Sequence, residues 1–416
     1  MLVHSASPIP PDPAGPLFIT VITEPQLRSL VLVLLASTLG ALLSRLQGRV
    51  LLPTVVLEIA LGVLFGPQVL GIASVNPYIQ TLSDFGLALL FFVAGVEIVE
   101  ARVAPRLVRQ GTIGWVISLA LGLAAGLGLQ LAGLDARWWL VGIALCTTSL
   151  GTLVPILTDA GVFSTPLGSA VLGSGIAGEF WPIVFISIFL TGAYGAWKET
   201  LLLIGFGILV LVTAAIVVSA RPLALIRVLR ETVQTTGQAA VRGSIFVLSA
   251  LVLLATEAGF DFVLGAFAAG LVVGLVLDSP EGREVRLRLE GIGFGFLIPI
   301  YFVSTGLTFD LDSLLTPSGL GLGLLFLVLL LIVRGASAFL WAPALDRRDV
   351  LPLALFSATG LPLIVAIVGI GQNHGGISAA VGASLVGAGM LSVLVYPVLA
   401  LQLFGQRQVS REPHRA

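Results

Sequence analysis

Apolar runs of about 20 residues recur along the whole chain, and each is long enough to cross the hydrocarbon core of a bilayer as a helix. A helix satisfies its own backbone hydrogen bonds, which lipid cannot do, so these runs favour membrane-spanning helices. Of the 416 residues, 57% are hydrophobic and only 10% are charged, which is more apolar surface than a soluble domain can hide. The sequence therefore predicts an all-α polytopic protein that lies in a lipid bilayer.

Thirteen predicted spans define a transmembrane domain over residues 27–404. Before it, residues 1–26 are rich in proline and lack the basic start of a signal peptide, which predicts a flexible extracytoplasmic tail. After it, residues 405–416 predict a short cytoplasmic tail, so we expect the function to lie within the membrane. The predicted spans are 27–46, 51–70, 81–99, 111–133, 138–159, 167–192, 200–219, 241–258, 262–278, 291–308, 319–343, 350–371 and 377–404.

Lys and Arg residues set the predicted orientation, since they accumulate in cytoplasmic loops. With the N-terminus outside, seventeen of the 21 Lys and Arg residues fall in inner loops or in the C-terminal tail. The outer side keeps only Arg28, Arg137 and Lys198, and Arg334 lies within a span. We therefore predict a multi-pass protein of the cell membrane with its N-terminus outside and its C-terminus in the cytoplasm.

The remaining composition argues against several classes of function. A formal net charge of −1 favours no nucleic-acid partner. The single cysteine, Cys146, has no intramolecular disulfide partner, and His4, His374 and His414 lack metal-ligand spacing. The spans contain neither paired Asp motifs nor a Ser/His pair. We therefore expect no cofactor, no resident metal and no enzymatic activity.

Two charged residues lie near the middle of predicted spans. Glu179, in the stretch GSGIAGEFWPIVFIS, is the only ionisable residue between Asp159 and Lys198, and Arg334 lies near the middle of span 11. A central charge costs about 2.5–3.5 kcal/mol on insertion scales, and such residues either lock helices together or mark ion pathways. Arg334 keeps its proton and so suits a fixed charge partner for Glu179. Glu58 also lies within a span, either as a structural residue or as a second acid.

Hydroxyl, glycine and proline residues interrupt two spans at similar depth. Span 5 contains CTTSLGTLVP, with its interruption near Thr148, and span 12 contains SATGLPLIV, with its interruption near Pro362. Gly/Pro-interrupted spans at corresponding positions in two halves point to a transporter site made from unwound helices. Spans 5 and 12 are an odd number apart, so they enter the membrane from opposite sides, as inverted repeats require. Either interruption alone is also compatible with ordinary membrane helices, which tolerate these residues.

Four phrases of the sequence together indicate a family. In chain order they are LPTVVLEIALGVLFGPQVLGI, FGLALLFFVAGVEI, VLGAFAAGLVVGLVL and FLIPIYFVSTGLTFDLDSL. Their order and spacing resemble the monovalent cation:proton antiporter-2 family of sodium/proton exchangers, over nearly the whole chain from about residue 27 to 404. The resemblance implies inverted repeats with two crossing broken helices. It also implies a separate panel of helices that forms a homodimer interface, and movement of the core against this panel.

The resemblance further implies which residues form the site. The family's pair of ion-binding acids, commonly Asp-Asp, Asn-Asp or Gln-Asp, falls on Gly178 and Glu179. One expected side chain is therefore absent, and the other is one methylene longer. Arg334 matches a position where relatives often have a basic residue. The implied ion- and proton-binding residues are Glu179, Thr147, Thr148 and Ser149, and the implied broken-helix crossing is Gly360, Leu361 and Pro362.

We interpret the chain as a secondary active antiporter that exchanges Na⁺ or K⁺ for H⁺ through competition at Glu179. The Thr148 and Ser149 hydroxyls and unwound carbonyls offer the hard oxygen ligands that alkali ions favour. One acid at positions 178–179 predicts electroneutral exchange, unless Glu58 carries a second proton. Two alternatives stay open, a passive channel for monovalent cations and a transport-silent sensor with a transporter-like fold.

Overall fold

The computed structural model describes residues 24–46, 53–100, 104–192, 238–277 and 280–411, and these ranges contain helices and no β-strand. Within them, nine helical segments are long and apolar enough to cross a membrane. The helices are α1 (Glu24–Leu46), α2 (Thr54–Phe65), α3 (Pro77–Glu100), α4 (Pro105–Leu131), α5 (Trp138–Leu145), α6 (Leu150–Asp159), α7 (Pro166–Gly192), α8 (Ala239–Glu257), α9 (Phe262–Val276), α10 (Pro280–Ile292), α11 (Ile298–Leu307), α12 (Leu311–Leu314), α13 (Pro317–Gly335), α14 (Val350–Ser357), α15 (Pro362–Asn373) and α16 (Ala379–Arg411).

The helices coincide with twelve of the thirteen predicted spans, and the seventh predicted span, 200–219, lies outside the described residues. The largest difference is at α2, which is shorter than the predicted span 51–70. This helix ends at Phe65 because Pro67 disfavours a helical conformation at Gly66, which is extended. At the other end of the chain, α16 continues beyond the predicted end at residue 404.

Two predicted spans are each divided into two half-helices. The first consists of α5 and α6, separated by residues 146–149, and the second consists of α14 and α15, separated by residues 358–361. A third irregularity is the π-helical stretch Gly293–Leu297 between α10 and α11. Such local breaks free backbone groups at membrane depth, which is tolerated where they are buried in protein or line a cavity.

The helices pack into two groups. The scaffold bundle consists of α1–α3 and α8–α11, and the crossing bundle consists of α4–α7 and α13–α16. Glycines let helices within each bundle approach closely. A Cβ on Gly270 of α9 would fall on the backbone of Phe92 in α3, and a Cβ on Gly126 of α4 would fall on the backbone of Trp138 in α5. Between the bundles, Phe180 of α7 contacts Phe267 of α9 with ring centroids 5.6 Å apart.

Candidate ion-binding site

Glu179 lies at the middle of α7, where the two bundles face each other. Its partly exposed side chain lines a cavity of about 70 Å³, which has room for a dehydrated cation and a few waters. We call this space the acidic cavity. It is lined by Val55, Leu90, Phe91, Val93, Ala94, Glu97, Ser149, Gly151, Thr152, Glu179, Phe294, Phe302, Pro362 and Leu363.

Glu97 is the second carboxylate in the acidic cavity. It lies near the end of α3, in the scaffold bundle, and its charge repels that of Glu179 across the cavity. Sequence reasoning missed it because it lies close to the predicted end of span 3, where an acid normally reaches water. The signal that could have identified Glu97 is the phrase AGVEI, which belongs to the family resemblance. Among the described lining residues, the cavity therefore has one carboxylate from each bundle.

Two half-helices begin at the acidic cavity. The first residue of α6, Leu150, directs its backbone N–H to the Glu179 carboxylate, and Glu97 Oε2 is 4.0 Å from the position that a Cβ on Gly151 would take. Pro362, the first residue of α15, also lines the cavity. Helix N-termini carry free N–H groups and a partial positive charge, so α6 stabilises the Glu179 carboxylate, whereas α15, whose first residue has no N–H, contributes the partial charge of its N-terminus.

The structure places the three hydroxyl residues that were predicted to bind the ion at different sites. Ser149 lines the acidic cavity, where its hydroxyl hydrogen-bonds to that of Thr152 at 2.9 Å. Thr147 and Thr148 are not among the residues that line this cavity. The Thr147 hydroxyl donates to the Ala144 carbonyl, and the Thr148 hydroxyl donates to the Ser357 carbonyl. Thr152, which sequence reasoning did not select, supplies a hydroxyl to the cavity instead.

Arg334 is fully buried in the last turn of α13. Its Nε donates to the Thr148 hydroxyl at 2.9 Å, and its terminal nitrogens donate to the Ser118 hydroxyl at 3.2 Å and the Ser174 carbonyl at 3.0 Å. Within the described ranges, Glu179 is not among its hydrogen-bond or ion-pair partners. The structure therefore does not bring together the predicted Glu179–Arg334 pair.

The ends of the half-helices explain why Arg334 is held without a carboxylate. Arg334 Nε also approaches the carbonyl of Ser357, the last residue of α14, at 3.4 Å. Thr148, which Arg334 also contacts, lies in the interruption three residues after the end of α5. Helix C-termini carry free carbonyls and a partial negative charge, and therefore stabilise a cation. The N-terminus of α6 thus faces Glu179, and the C-terminus of α14 faces Arg334.

Gly178 departs from the family pattern for a reason that is visible in the packing. A Cβ at this position would lie 2.7 Å from a terminal nitrogen of Arg334 and 2.6 Å from the Thr148 hydroxyl oxygen. Both distances are shorter than a carbon can tolerate without movement of its neighbours. The guanidinium therefore occupies the space that the first acid of the family pair would need.

The interruption at residues 358–361 contacts the other interruption through its backbone. The Ser149 N–H donates to the Thr359 carbonyl at 2.9 Å, and a Cβ on Gly360 would lie 2.9 Å from the Thr147 hydroxyl. Leu361 is fully buried, and its side chain lies against Gly389 of α16. The crossing thus depends on the absence of a side chain at Gly360.

Glu58 lies away from this site. It is 4% exposed in the first half of α2 and packs against Gly40 of α1, where a Cβ would be 3.1 Å from Glu58 Cγ. Glu58 is not among the residues that line the acidic cavity. Among the described residues, the second carboxylate that lines the cavity is therefore Glu97 and not Glu58.

Comparison with known proteins agrees with the fold. The chain is 25% identical over 405 residues to the putative Na⁺/H⁺ antiporter YjbQ of Bacillus subtilis, covering 93% of this chain but only 64% of that relative. It is 23% identical to the Na⁺/H⁺-K⁺ antiporter GerN of Bacillus cereus, covering 91% of this chain and 96% of GerN. The solved structure of the sodium proton antiporter MjNhaP1 from Methanocaldococcus jannaschii superposes with a TM-score of 0.62 at 17% identity, covering 92% of this chain and 99% of MjNhaP1.

A family model decides the assignment. The model described as "Sodium/hydrogen exchanger, transmembrane" matches residues 31–401, which is most of the chain and includes both interrupted helices. This match confirms the resemblance found in the sequence. Members of this family are transporters and not enzymes. The chain therefore belongs to the transmembrane sodium/hydrogen exchanger family.

Proposed function

We propose that this protein is a secondary active antiporter that exchanges Na⁺ or K⁺ for H⁺ across the cytoplasmic membrane by competition at Glu179. The observation that supports it is the carboxylate of a central membrane helix, which lines a small cavity and is faced by the N-termini of two half-helices. A carboxylate in this setting binds either a proton or an alkali cation. Ser149, Thr152 and Glu97 add the hard oxygen ligands that an alkali cation prefers.

The two bundles would supply the movement that transport requires. Glu179 and Arg334 belong to the crossing bundle, whereas Glu97 belongs to the scaffold bundle. If the crossing bundle moves against the scaffold bundle, Glu179 moves away from Glu97 and carries its cation or proton to the other side. Arg334 belongs to the same bundle as Glu179 and moves with it as a fixed positive charge. We therefore keep Arg334 as the charge partner of Glu179, acting without direct contact between the two side chains.

This arrangement predicts electroneutral exchange of one proton per monovalent cation. With a proton on Glu179, the neutral acid and the Arg334 cation give this pair a charge of +1. With Na⁺ or K⁺ bound, the carboxylate, the bound cation and Arg334 again sum to +1. The membrane potential therefore acts equally on the two loaded forms, and its contributions cancel over the cycle. Glu97 adds no charge to the movement because it stays with the scaffold bundle.

Glu97→Gln is expected to raise the KM for the cation by about tenfold while leaving the one-to-one coupling intact, because it removes one nearby negative charge in a partly wet cavity. Glu58→Gln is the matched control, since it removes a buried carboxylate that does not line the cavity, and its KM should not change. Cation-driven proton fluxes in proteoliposomes give both values. Loss of exchange in Glu97→Gln, or an altered coupling ratio, would show instead that Glu97 takes part in the exchange itself.

The orientation and assembly complete the proposal. Thirteen spans in inverted repeats, with the N-terminus outside, place Ser318 and Asn373 on the outer side and Arg348 on the inner side, and all three are exposed. Cysteines at Ser318 and Asn373 should react with an impermeant reagent from outside, and a cysteine at Arg348 should not. The native Cys146 is fully buried and gives little background. The opposite labelling pattern would show that the orientation is reversed.

The homodimer stays a prediction. A measurement of the mass of the protein in nanodiscs tests it.

One experiment separates the antiporter from both alternatives. Proteoliposomes receive an imposed Na⁺ or K⁺ gradient while the membrane potential is clamped, and the pH of the lumen is followed. An antiporter moves protons against the cation under these conditions. A passive cation channel moves the cation without coupled proton movement, and a transport-silent sensor moves neither. Either of the latter results would reject the proposed function.

A further inference from the structure

An ion pair lies on α10, shortly before the π-helical stretch that reaches the acidic cavity. Arg286 Nε is 3.0 Å from Glu290 Oε1, and the two side chains are only 15% and 26% exposed. The helix continues directly into Gly293–Leu297, whose Phe294 lines the acidic cavity. We call Arg286 and Glu290 the rim pair, because they lie about two turns and one turn before Phe294 along the helix.

The π-helical stretch packs directly against α3, the helix that carries Glu97. A Cβ on Gly86 of α3 would fall on the carbonyl of Leu297. One end of the stretch earlier, a Cβ on Gly293 would lie 3.7 Å from Val93 Cγ2. Later residues of α3 thus meet earlier residues of the stretch, so the two segments run antiparallel.

This antiparallel packing brings Glu97 to the rim pair. Glu97 lies one turn beyond Val93 on the same face of α3, and Glu290 lies about one turn before Gly293. In agreement with this register, the charge of Glu290 repels that of Glu97, and the charge of Arg286 attracts it. Arg286 is therefore a fixed cation attracted by two carboxylates, one of which lines the acidic cavity.

Arg286 and a cation in the acidic cavity compete for the charge of Glu97. A guanidinium keeps its proton, so Arg286 stays positive whatever the cavity holds. The closer it comes to Glu97, the more of the attraction between Glu97 and the bound cation it cancels. The ion pair with Glu290 holds Arg286 on α10 and so leaves Glu97 to the cation.

We infer that the rim pair sets the affinity of the acidic cavity for the alkali cation, with Arg286 as the competitor for Glu97 and Glu290 as the positioning residue that restrains it. The inference rests on the proposed function, since it concerns the cation affinity of that same site. Neither residue is among the described residues that line the acidic cavity. The rim pair should therefore change the affinity and leave the maximal rate and the coupling ratio unchanged.

Substitutions of the two residues are expected to act in opposite directions. Glu290→Gln should raise the Kd for the cation by about threefold, because Arg286 is then drawn to Glu97. Arg286→Gln should lower the Kd by about threefold, and the double variant should return it close to the original value. The measurement is equilibrium binding of ²²Na⁺ or ⁸⁶Rb⁺ to purified protein at alkaline pH, where the carboxylates are ionised, with choline chloride holding the ionic strength constant.

A second ion pair on the same helix is the matched control. Arg288 and Glu284 also form an ion pair with i,i+4 spacing, and they lie on a different face of α10. Arg288→Gln and Glu284→Gln remove the same charges and should leave the Kd unchanged. Arg286→Lys keeps the charge and should retain most of the original affinity, which separates loss of charge from loss of structure.

The Glu97→Gln background shows whether the rim pair acts through Glu97. There, Glu290→Gln should have little further effect on the Kd, and an equal shift in both backgrounds would overturn the inference. Shifts of the same sign for Arg286→Gln and Glu290→Gln, or equal shifts in the control pair, would overturn it as well. The clamped-potential exchange assay separates the two proposals. Exchange by the unaltered protein without these shifts rejects the inference alone, and these shifts without exchange reject the antiporter function alone.

Discussion

Glu179→Gln is expected to reduce cation-driven proton movement to the rate of protein-free vesicles. The amide keeps the size of the side chain, and Leu150 can still donate to its oxygen, but the amide neither exchanges a proton nor balances a bound cation. The acidic cavity would retain Glu97, which stays with the scaffold bundle and cannot carry the ion across. The measurement is the lumenal pH after an imposed Na⁺ or K⁺ gradient at clamped potential.

Two controls decide how this result is read. Glu58→Gln removes another carboxylate of a membrane helix and should leave exchange unchanged, because Glu58 lies away from the acidic cavity. Glu179→Asp restores the acid usual in the family and should retain exchange with an altered cation affinity. Substantial coupled exchange by Glu179→Gln, in protein that is intact by size-exclusion chromatography, would contradict the role assigned to Glu179.

Arg334→Met is expected to lower the free energy of unfolding by about 3–5 kcal/mol, because hydrogen bonds from a charged group are lost and a buried space is left. The guanidinium connects four parts of the crossing bundle through Ser118, Thr148, Ser174 and Ser357. Its loss also leaves the Ser174 carbonyl without this donor. The measurement is thermal unfolding of the purified proteins in detergent, where Arg334→Met should have a lower midpoint temperature than the unaltered protein.

Arg334→Lys and Arg348→Met are the matched controls for this prediction. Lysine keeps the charge but cannot present the planar set of donors, so its stability should be intermediate. Arg348 is exposed, and its replacement should change the midpoint little. A stable Arg334→Met protein would show that the guanidinium does not hold the crossing together.

Much of the membrane architecture could be predicted because it depends on patterns that sequence displays directly. Apolar length located the helices, and Gly and Pro residues located both interruptions, since these residues act on the backbone of their own segment. Glu179 was identified for a similar reason, because a lone charge in the middle of an apolar run is conspicuous. The family match then confirmed the resemblance carried by the four phrases.

The partners of the site residues could not be predicted, because they depend on side-chain directions in the interrupted segments. Thr148 and Ser149 are adjacent in sequence, yet one hydroxyl contacts Arg334 and the other faces the acidic cavity. Arg334 was expected to pair with Glu179 by charge alone. Its partners are instead the hydroxyls of Ser118 and Thr148 and the carbonyls of Ser174 and Ser357, which carry no charge that the sequence could reveal. Glu97 was missed because it lies close to the predicted end of span 3. Its depth in the membrane therefore gave no reason to expect a buried side chain.

The central claim is that a proton and an alkali cation compete for Glu179. The most direct test is the apparent KM for Na⁺ or K⁺, measured at several pH values with equal pH on both sides and the potential clamped. Competition predicts that the KM rises by about tenfold for each unit of pH below the pKa of the site, while the maximal rate stays constant, since each ligand weakens the other equally. A KM that does not change with pH, together with sustained exchange, would show that the two ions bind independently and would contradict the account.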